Sequence, residues 1–596
     1  MRTRTSLFVA AAVGATFATT VQGAEVTAPV QVTATRTPIT ADDALAAVDV
    51  ITREDIEERQ PADAVELLRD MAGVSISRNG GRGKSASVYL RGTESDHTLV
   101  LINGVRMGSA TQGSTPLEQI PVSQIRRIEV VRGPRASLYG ADAIGGVIQI
   151  FTDRDSTHAR VAAGSQHTWE AGVGVAREIG RGGFGINLSG ESTQGFDATD
   201  ERAFSHEPDR DGYDSRSLSA TGHYDVTDAL SLRGQVMRTE GDNEYDAGTD
   251  ETVQQSVNAT ADWRISGMWR SQLSVGRALD DYDLRPETDD RYTTTRDSVT
   301  WQNDLFLSED LITTIGVDYY DDQVDSTTDY DRTSRDNLAA FLQQQWFAGP
   351  FDVQGAVRYD DNEVYGGETT GSVAAGYRLT QSMRTYVSWG TAFKAPSFND
   401  LYYPGYFGMY QGNPDLDPEK SQSWELGLKG GHDWRWDVAA FQTHIDDLIA
   451  LSEDSSTYVN VDEALIRGVE GTVRGSVAGF DTRLTATWMH TEDEDTGNEL
   501  GRRPSFKSTL SVRRTFGRAT LGTSIHYGGE RYDSTANTTE LDAYTVVDLT
   551  AAWRIDEAWT LRGRVTNLFD EDYQTADTYN MPGRAALVSV TWQPGS

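Results

Sequence analysis

Two short stretches of the sequence hold many carboxylates. They run from position 197 to 211 and from 245 to 250, and the candidate metal ligands among their side chains are Asp197, Glu207, Asp209, Asp211, Tyr245, Asp246 and Asp250. Crowded carboxylates repel one another unless a cation lies among them, and Ca²⁺ takes about six to eight oxygen ligands in proteins. These residue types therefore permit a calcium site formed by two neighbouring loops. An acidic run is equally typical of a solvated loop, so the pattern alone leaves both interpretations open.

Residue types that carry covalent catalysis are absent or scattered. The chain has no cysteine, which excludes thiol nucleophiles, disulfides, zinc–thiolate sites and iron–sulfur clusters. Its nine histidines stand singly, and none belongs to a local motif that would bring a nucleophile, a base and an orienting acid together. We therefore expect no enzyme activity and no catalytic cofactor.

The overall composition excludes several classes of protein. At 596 residues the chain is too long for one hydrophobic core, because such cores stop growing at ~250 to 300 residues. Its 90 acidic and 53 basic residues give a net charge of -37, which argues against nucleic acid as a partner, since phosphate binding needs a basic surface. Mean hydropathy is -0.49, and no window reaches the ~18 apolar residues of a transmembrane helix. A transmembrane β-barrel is still allowed, because its alternating residues average to a polar composition.

The first 24 residues have the order of a secretory signal peptide. Arg2 and Arg4 precede a short apolar run from Leu7 to Ala15, and a stretch of polar and small residues ends at Gly23 and Ala24. The order of charged, apolar and small residues is typical of a segment that is removed after export. We therefore expect the mature chain to function beyond the inner membrane.

The part of the chain up to about residue 153 has the pattern of a small mixed α/β module. Pro61 to Met71 has apolar residues at spacings of three and four, which predicts a helix with Pro61 in its first turn. Apolar runs bounded by glycine-containing turns predict strands at Thr98 to Ile102, Arg127 to Val131 and Ala143 to Phe151.

From about residue 155 to 592 one pattern repeats, in which roughly ten residues alternate apolar and polar before a polar loop. In one such run Val547, Leu549, Ala551 and Trp553 share a face, and period two indicates strands with one apolar face. A soluble β-sandwich would alternate too, but this segment exceeds one sandwich and accommodates about 22 strands at ~20 residues each. We therefore predict a transmembrane β-barrel of about 22 antiparallel strands, with the amino-terminal module as a plug in its lumen.

Several strings in both parts carry a family resemblance. In the module they are 79–83 (NGGRG), 89–93 (YLRGT), 99–106 (LVLINGVR) and 131–147 (VRGPRASLYGADAIGGV). In the strand-rich part they are 390–396 (GTAFKAP), 412–420 (GNPDLDPEK), 466–470 (IRGVE) and 567–573 (NLFDEDY). Together these strings resemble TonB-dependent outer-membrane receptors, and within that family the transporters of cobalamin (vitamin B12).

The resemblance implies a domain division and a function. The divisions are a signal peptide (1–24), a TonB-box segment (25–38), a plug domain (39–153) and a transmembrane β-barrel (154–596). The implied function is active transport of cobalamin or a related corrinoid across the Gram-negative outer membrane, by a monomer embedded in outer-membrane lipid. The energy would come from TonB and its inner-membrane complex, through a segment that matches the TonB box at Pro29, Val30, Gln31, Val32, Thr33 and Ala34. An exposed, extended segment suits capture as an added β-strand.

The resemblance also implies site residues. The family's ligand contacts correspond here to Ser85, Ser87, Glu94, Thr111, Gln112 and Arg502. The family binds calcium in extracellular loops at the acidic positions named above, and the carbonyl of Ala247 would add a ligand. Calcium would then order loops that close over the cargo, so that calcium and cargo binding should be linked.

Other cargoes and classes compete with this interpretation. A ferric siderophore is the main alternative, because no residue excludes it. Haem is disfavoured, since haem receptors of this family usually carry a histidine in a stretch that has none here, between Phe393 and Asn413. A passive porin is disfavoured by the plug-sized module. Arg91, Arg132 and Arg135 are expected to pair with carboxylates of the barrel wall and so hold the plug in place.

Overall fold

The computed structural model describes residues 31–32, 36–37, 39–152, 156–246, 248–285, 290–452 and 456–594. The predicted signal peptide lies outside these residues. So do four residues of the predicted TonB box and one of the predicted calcium site, namely Pro29, Val30, Thr33, Ala34 and Ala247.

The amino-terminal part forms one five-stranded sheet and two small strand pairs. Its strands are β1 (Gln31–Val32), β2 (Ile39–Thr40), β3 (Val48–Ile51), β4 (Val74–Arg78), β5 (Ala86–Leu90), β6 (Thr98–Ile102), β7 (Val105–Arg106), β8 (Arg127–Arg132) and β9 (Gly146–Phe151). The five-stranded sheet has the order β3-β8-β9-β6-β7, in which only β6 and β9 are parallel. The predicted strands correspond to β6, β8 and β9, although β9 begins at Gly146 and not at Ala143.

The helices are short. They are α1 (Arg53–Arg59), α2 (Ala64–Arg69), α3 (Ala136–Tyr139) and, within the barrel part, α4 (Phe398–Tyr402), with 3₁₀ turns at Ser95–His97, Leu117–Gln119 and Val122–Gln124. The helix predicted over Pro61 to Met71 starts later, because the Asp63 carboxylate caps α2 by accepting the Glu66 backbone N–H at 2.9 Å. No helix among the described residues is long and apolar enough to cross a membrane.

The remaining strands form a closed antiparallel barrel and one small hairpin. They are β10 (His158–Gly164), β11 (Trp169–Ile179), β12 (Gly182–Thr193), β13 (Tyr213–Asp225), β14 (Leu230–Tyr245), β15 (Gly248–Ser266), β16 (Trp269–Arg285), β17 (Asp290–Ser308), β18 (Leu311–Ser326), β19 (Ser334–Ala348), β20 (Phe351–Asn362), β21 (Gly366–Thr380), β22 (Met383–Lys394), β23 (Glu419–Gly431), β24 (Trp434–Leu451), β25 (Tyr458–Val477), β26 (Phe480–Asp493), β27 (Phe506–Phe516), β28 (Ala519–Gly528), β29 (Arg531–Tyr532), β30 (Glu540–Leu541), β31 (Tyr544–Arg554), β32 (Trp559–Thr566) and β33 (Ala585–Trp592). β29 and β30 form a separate hairpin, and the other 22 strands close the barrel through pairing of β10 with β33. The predicted barrel is therefore confirmed.

Alternation sorts the side chains of each strand between lipid and lumen. In β31, Leu549 and Trp553 are exposed on the outer face, whereas Val546 and Asp548 are buried on the inner one. The outer face of the barrel carries exposed apolar and aromatic residues on most strands, as expected of a surface in contact with lipid. The polar inner residues face the amino-terminal domain, which fills the lumen.

The two ends of the barrel differ in the length of their connections. Turns at one end are short, as at 180–181 and 478–479, whereas the connections 194–212, 395–418 and 567–584 at the other end are long. We define the second end as the long-loop end. Transmembrane barrels have short periplasmic turns and longer extracellular loops, so the long-loop end is the outer end.

Contacts on distant strands place the amino-terminal domain inside the barrel as a plug. The Ser219 hydroxyl of β13 donates to the Gln124 side-chain oxygen at 2.6 Å, and the Ala110 backbone N–H donates to the Thr294 hydroxyl of β17 at 2.9 Å. On another side of the lumen, Arg91 reaches a carboxylate of β25. The plug therefore touches the wall around its circumference.

Buried ion pairs join the plug to the wall. Arg91 pairs with Glu425 at 2.9 Å and Glu470 at 2.6 Å, and Arg132 pairs with Glu470 at 2.9 Å. The prediction that these arginines pair with wall carboxylates is confirmed for both. Arg135 forms no direct ion pair among the described residues: it donates to the Arg132 carbonyl at 3.2 Å, and the wall carboxylate Glu425 attracts it only from a longer distance.

Candidate functional site

The β4–β5 loop, residues 79–85, reaches the long-loop end. It packs beneath the connection between β12 and β13, where the Ala198 Cβ lies 2.8 Å from the position that a Cβ on Gly80 would take. Gly80 also has a φ of 124°, so that both the backbone conformation and the close approach require glycine. Of the predicted ligand contacts on this part of the plug, Ser85 is exposed and Ser87 is half-buried.

A second plug loop, residues 107–116, lies against α4. The Asn399 backbone N–H donates to the Thr111 carbonyl at 3.1 Å. The Thr111 hydroxyl is hydrogen-bonded to Ser109 at 2.7 Å, and the residue is 2% exposed. Gln112 is exposed at the tip of the loop. Of these two predicted contacts, only Gln112 therefore presents its side chain to a ligand directly.

The two charged residues predicted as ligand contacts already have partners. Arg503, which is buried, pairs with Glu94 at 2.6 Å, so that the carboxylate does not face the ligand as an unbalanced negative charge. Arg502 pairs with Asp533 at 3.0 Å, which lies on the connection between β29 and β30. Sequence inspection identified Arg502 and missed Arg503, the residue that neutralises Glu94.

Three of the predicted calcium ligands lie together at the long-loop end. Asp197, Asp211 and Asp246 each offer a carboxylate oxygen, and these oxygens lie within 4.8 Å of one another. One oxygen of Asp211 accepts the Ala198 backbone N–H at 2.7 Å, and one of Asp246 accepts the Thr199 hydroxyl. Two further oxygens, Oδ1 of Asp197 and Oδ1 of Asp246, are buried and receive no hydrogen bond from the described residues. Burial, together with the nearby Asp246 charge, raises the pKa of Asp211.

The other predicted calcium ligands divide into two groups. Asp250 is buried and accepts hydrogen bonds from the hydroxyls of Tyr282 and Tyr245, while its Oδ1 has no donor within the described chain. Glu207 and Asp209 are exposed on the loop and stand apart from the three-carboxylate cluster. Buried carboxylate oxygens without donors are costly unless a cation or water satisfies them. The buried set is therefore the one that fits a hard cation.

Comparison with known protein families identifies both parts of the fold. The family described as TonB-dependent Receptor Plug Domain matches residues 40–147, and the family described as TonB dependent receptor-like, beta-barrel matches residues 156–568. The chain is a TonB-dependent receptor. Its closed transmembrane barrel makes it a protein of the outer membrane.

Curated relatives and solved structures agree with this assignment. The receptor is similar to the Vitamin B12 transporter BtuB of Photobacterium profundum, with 35% identity over 94% of this chain and 95% of that one. It is 33% identical to the protein of the same name in Vibrio vulnificus, over 92% and 91% of the two chains. The solved ferric enterobactin receptor PfeA of Pseudomonas aeruginosa matches with a TM-score of 0.79 over 92% of this chain and 99% of that one. At 19% identity that likeness shows the fold alone.

Lys84 of the receptor joins the two halves of the site. It precedes Ser85 in the plug, is 4% exposed, and donates to the carbonyls of Asp211 and Gly212 at 3.2 and 3.0 Å and to the Asn243 side chain at 2.7 Å. Burial lowers the pKa of Lys84 to about 8. The plug apex is thus tied directly to the acidic loop, a contact that sequence inspection missed because its partners lie far away in the chain.

Proposed function

We propose that this receptor transports cobalamin or a related corrinoid from outside the cell into the periplasm. The observation that carries the proposal is the 35% identity to a vitamin B12 transporter along nearly the whole of both chains, plug and barrel included. The alternative cargo is a ferric siderophore, and the solved receptor structures bear on the fold rather than on that choice.

We place the corrinoid on the outer surface of the plug. The exposed polar groups of Ser85 and Gln112 lie on the two apical loops and offer hydrogen bonds to amide side chains of a corrinoid. Ser87, Glu94, Thr111 and Arg502 are further contacts in this proposal. Thr111 would have to exchange its hydrogen bond with Ser109 to reach the ligand, and Arg502 would offer the ligand phosphate those donors that Asp533 leaves free.

TonB is the proposed source of energy, through the segment 29–34. Within the described residues, Gln31 and Val32 pair with Thr40 and Ile39 as a two-stranded ladder. An extended strand with one paired edge can accept a partner strand on its other edge. Val32→Pro should abolish energised uptake while leaving ligand binding intact, because proline removes a ladder donor and leaves the plug apex unchanged. Unchanged uptake in that variant would contradict this assignment.

We further propose that calcium binds among Asp197, Asp211, Asp246 and Asp250. The support is chemical: the carboxylates of Asp197, Asp211 and Asp246 are close together, and Asp197, Asp246 and Asp250 each present a buried oxygen without a donor among the described residues. A bound Ca²⁺ would neutralise the cluster and fix the loops that carry it. Glu207, Asp209 and the oxygens of Tyr245 and Ala247 complete the proposed ligand set, and the first two require the 194–212 loop to fold further over the cluster.

The cargo can be tested by titrating the purified receptor in detergent with cyanocobalamin, in competition with ferric enterobactin. Saturable binding of cyanocobalamin below micromolar concentration, with no displacement by the siderophore, is the expected result. Absence of cyanocobalamin binding at micromolar concentration would overturn the cargo and leave the family assignment standing.

The calcium proposal is tested separately by calorimetric titration with CaCl₂. Asp246→Asn should weaken calcium binding by at least tenfold, because it removes a full charge from a buried cluster. Asp329→Asn, at an exposed position on another long loop, makes the same chemical change and should have no effect. Chelation should also weaken cyanocobalamin binding, since ordered loops are linked to the ligand. Equal calcium affinity in Asp246→Asn and the unmodified receptor would refute the assignment.

A further inference from the structure

A cavity lies between the plug and one side of the barrel wall, next to the β4–β5 loop and the connection between β12 and β13. Its volume is about 190 Å³, and it is bounded by α2 and β4 on the plug side and by β27, β28, β31 and β32 on the wall. None of the residues predicted to contact ligand or calcium lines it. A single water needs about 10 to 15 Å³ by this measure, so the cavity has room for several waters or for a small ion.

Basic groups outnumber acidic ones in the lining, in contrast to the acidic chain as a whole. The basic side chains are Arg69, Arg78, Arg82, Lys507, Arg531 and Arg564, and the carboxylates are Asp63, Glu66 and Asp548. Four of the basic residues pair with carboxylates, namely Arg69, Arg78, Arg82 and Arg564. Lys507 donates to backbone carbonyls. Five of the six basic side chains therefore already have partners.

Arg531 is the exception. It is 2% exposed, and its Nε and Nη2 have no hydrogen-bond partner among the described residues. Its guanidinium lies over the Tyr544 ring, 5.0 Å from the centroid, and Tyr544 in turn stacks on Tyr573 at 4.3 Å. Pairing of its backbone strand, β29, with β30 fixes the residue in place. The Arg531 side chain thus lies buried at the cavity with unused donors.

A buried guanidinium without an acceptor is costly, and it becomes favourable when an anion supplies the missing acceptors. The planar fork of arginine matches the two oxygens of a carboxylate or phosphate, and such charge-assisted pairs are among the strongest hydrogen bonds in proteins. The cavity is smaller than the ~300 to 1,000 Å³ of sites for drug-sized ligands, which excludes a corrinoid. We propose that Arg531 and this cavity bind a small oxyanion between plug and barrel.

The test uses the full-length receptor in detergent and inorganic phosphate as the probe, titrated calorimetrically at fixed ionic strength. We expect saturable binding of one phosphate per receptor, and at least tenfold weaker binding in Arg531→Gln. Arg514→Gln is the matched control, because Arg514 also lies over aromatic rings, at 4.6 and 4.8 Å, but does not line the cavity. Phosphate affinity should be unchanged in that control.

Three results would overturn the proposal: no saturable phosphate binding to the unmodified receptor, equal binding in Arg531→Gln, or an equal loss in Arg514→Gln. Should Arg531→Gln not fold, crystals of the unmodified receptor soaked in bromide decide the question. An anomalous peak beside the Arg531 guanidinium would support an anion site, and water alone at that position would overturn it. Neither outcome depends on the cargo, so failure here leaves the transport proposal untouched.

Discussion

Glu470 is the carboxylate that holds two plug arginines at once. Its Oε1 accepts hydrogen bonds from Arg91 at 2.6 Å and from Arg132 at 2.9 Å, and the residue is 1% exposed. Glu470→Gln keeps the shape and one acceptor but removes the charge. Arg91 would then retain Glu425 at 2.9 Å, and Arg132 would retain Asp49 at 2.6 Å.

The size of the effect follows from what each arginine keeps. Breaking a buried ion pair by removing one partner costs about 3 to 5 kcal/mol. Because a second carboxylate remains for each guanidinium, we expect a loss at the low end of that range: Glu470→Gln should lower the free energy of plug unfolding by about 3 kcal/mol. With a urea m-value of about 1 to 3 kcal/mol/M, the midpoint of plug unfolding should fall by about 1 to 3 M.

The absence of native cysteine makes the assay specific. A single cysteine in place of Ala143, which is 0% exposed in the plug, can react with a maleimide only when the plug opens. Labelling is then followed against urea in the Ala143→Cys background, with and without Glu470→Gln. Glu557→Gln makes the same substitution at an exposed turn of the barrel and serves as the control. A shift no larger than that of the control would refute the view that buried ion pairs hold the plug.

Two further predictions concern the plug. Burial raises the pKa of Glu118 to about 8 against the opposing effect of Arg78. The native plug therefore retains a proton on Glu118 that the unfolded chain releases, and the free energy of plug unfolding should fall as pH rises from about 5 to 8. Glu118→Gln should flatten that pH dependence in the labelling assay. A slope unchanged in Glu118→Gln would assign it to another group. Asp63→Ala removes both the cap of α2 and a buried ion pair with Arg78 at 2.6 Å, and should cost about 3 to 5 kcal/mol. Asp63→Asn keeps a capping acceptor and should recover about 1 kcal/mol of that cost. Equal midpoints in Asp63→Ala and Asp63→Asn would argue against the cap.

The barrel could be predicted from the sequence because its signal is local and repeated. Period-two alternation, as at Leu549 and Trp553, needs only the next few residues to be recognised, and each strand pairs mainly with its neighbours in the chain. α1 was missed although its signal is also local, since Thr52 and Asp55 form a capping box at its start. That motif is short, and Ile56 is the only apolar residue of the helix that it begins.

Contacts that join distant parts of the chain could not be predicted in this way. Arg135 and Arg91 are the same residue type on the same plug, yet of the two only Arg91 forms a direct ion pair with Glu425 among the described residues. The distance from each guanidinium to that carboxylate is set only by the folded structure. Likewise, nothing in the acidic stretches distinguishes the buried Asp211 from the exposed Asp209 two residues earlier. The burial of Asp211 depends on the plug residue Lys84, which lies against that loop only after folding.

The contacts between plug and barrel determine how force on the amino terminus can displace a folded plug. Among the described residues the main apolar cluster belongs almost wholly to the plug, and the barrel adds only Met237 and Ala278. A second apolar cluster joins Ala136, Ala141 and Ile144 of the plug to barrel residues that include Phe393 and Ile466. Ion pairs and hydrogen bonds such as those of Arg91 and Arg132 add polar contacts between plug and wall. A buried ion pair gives orientation with little net stability, because water can solvate both partners once they separate. Force applied at the amino terminus therefore works partly against polar contacts that entering water can replace. The apolar cluster at the wall and the plug's own apolar core resist separately.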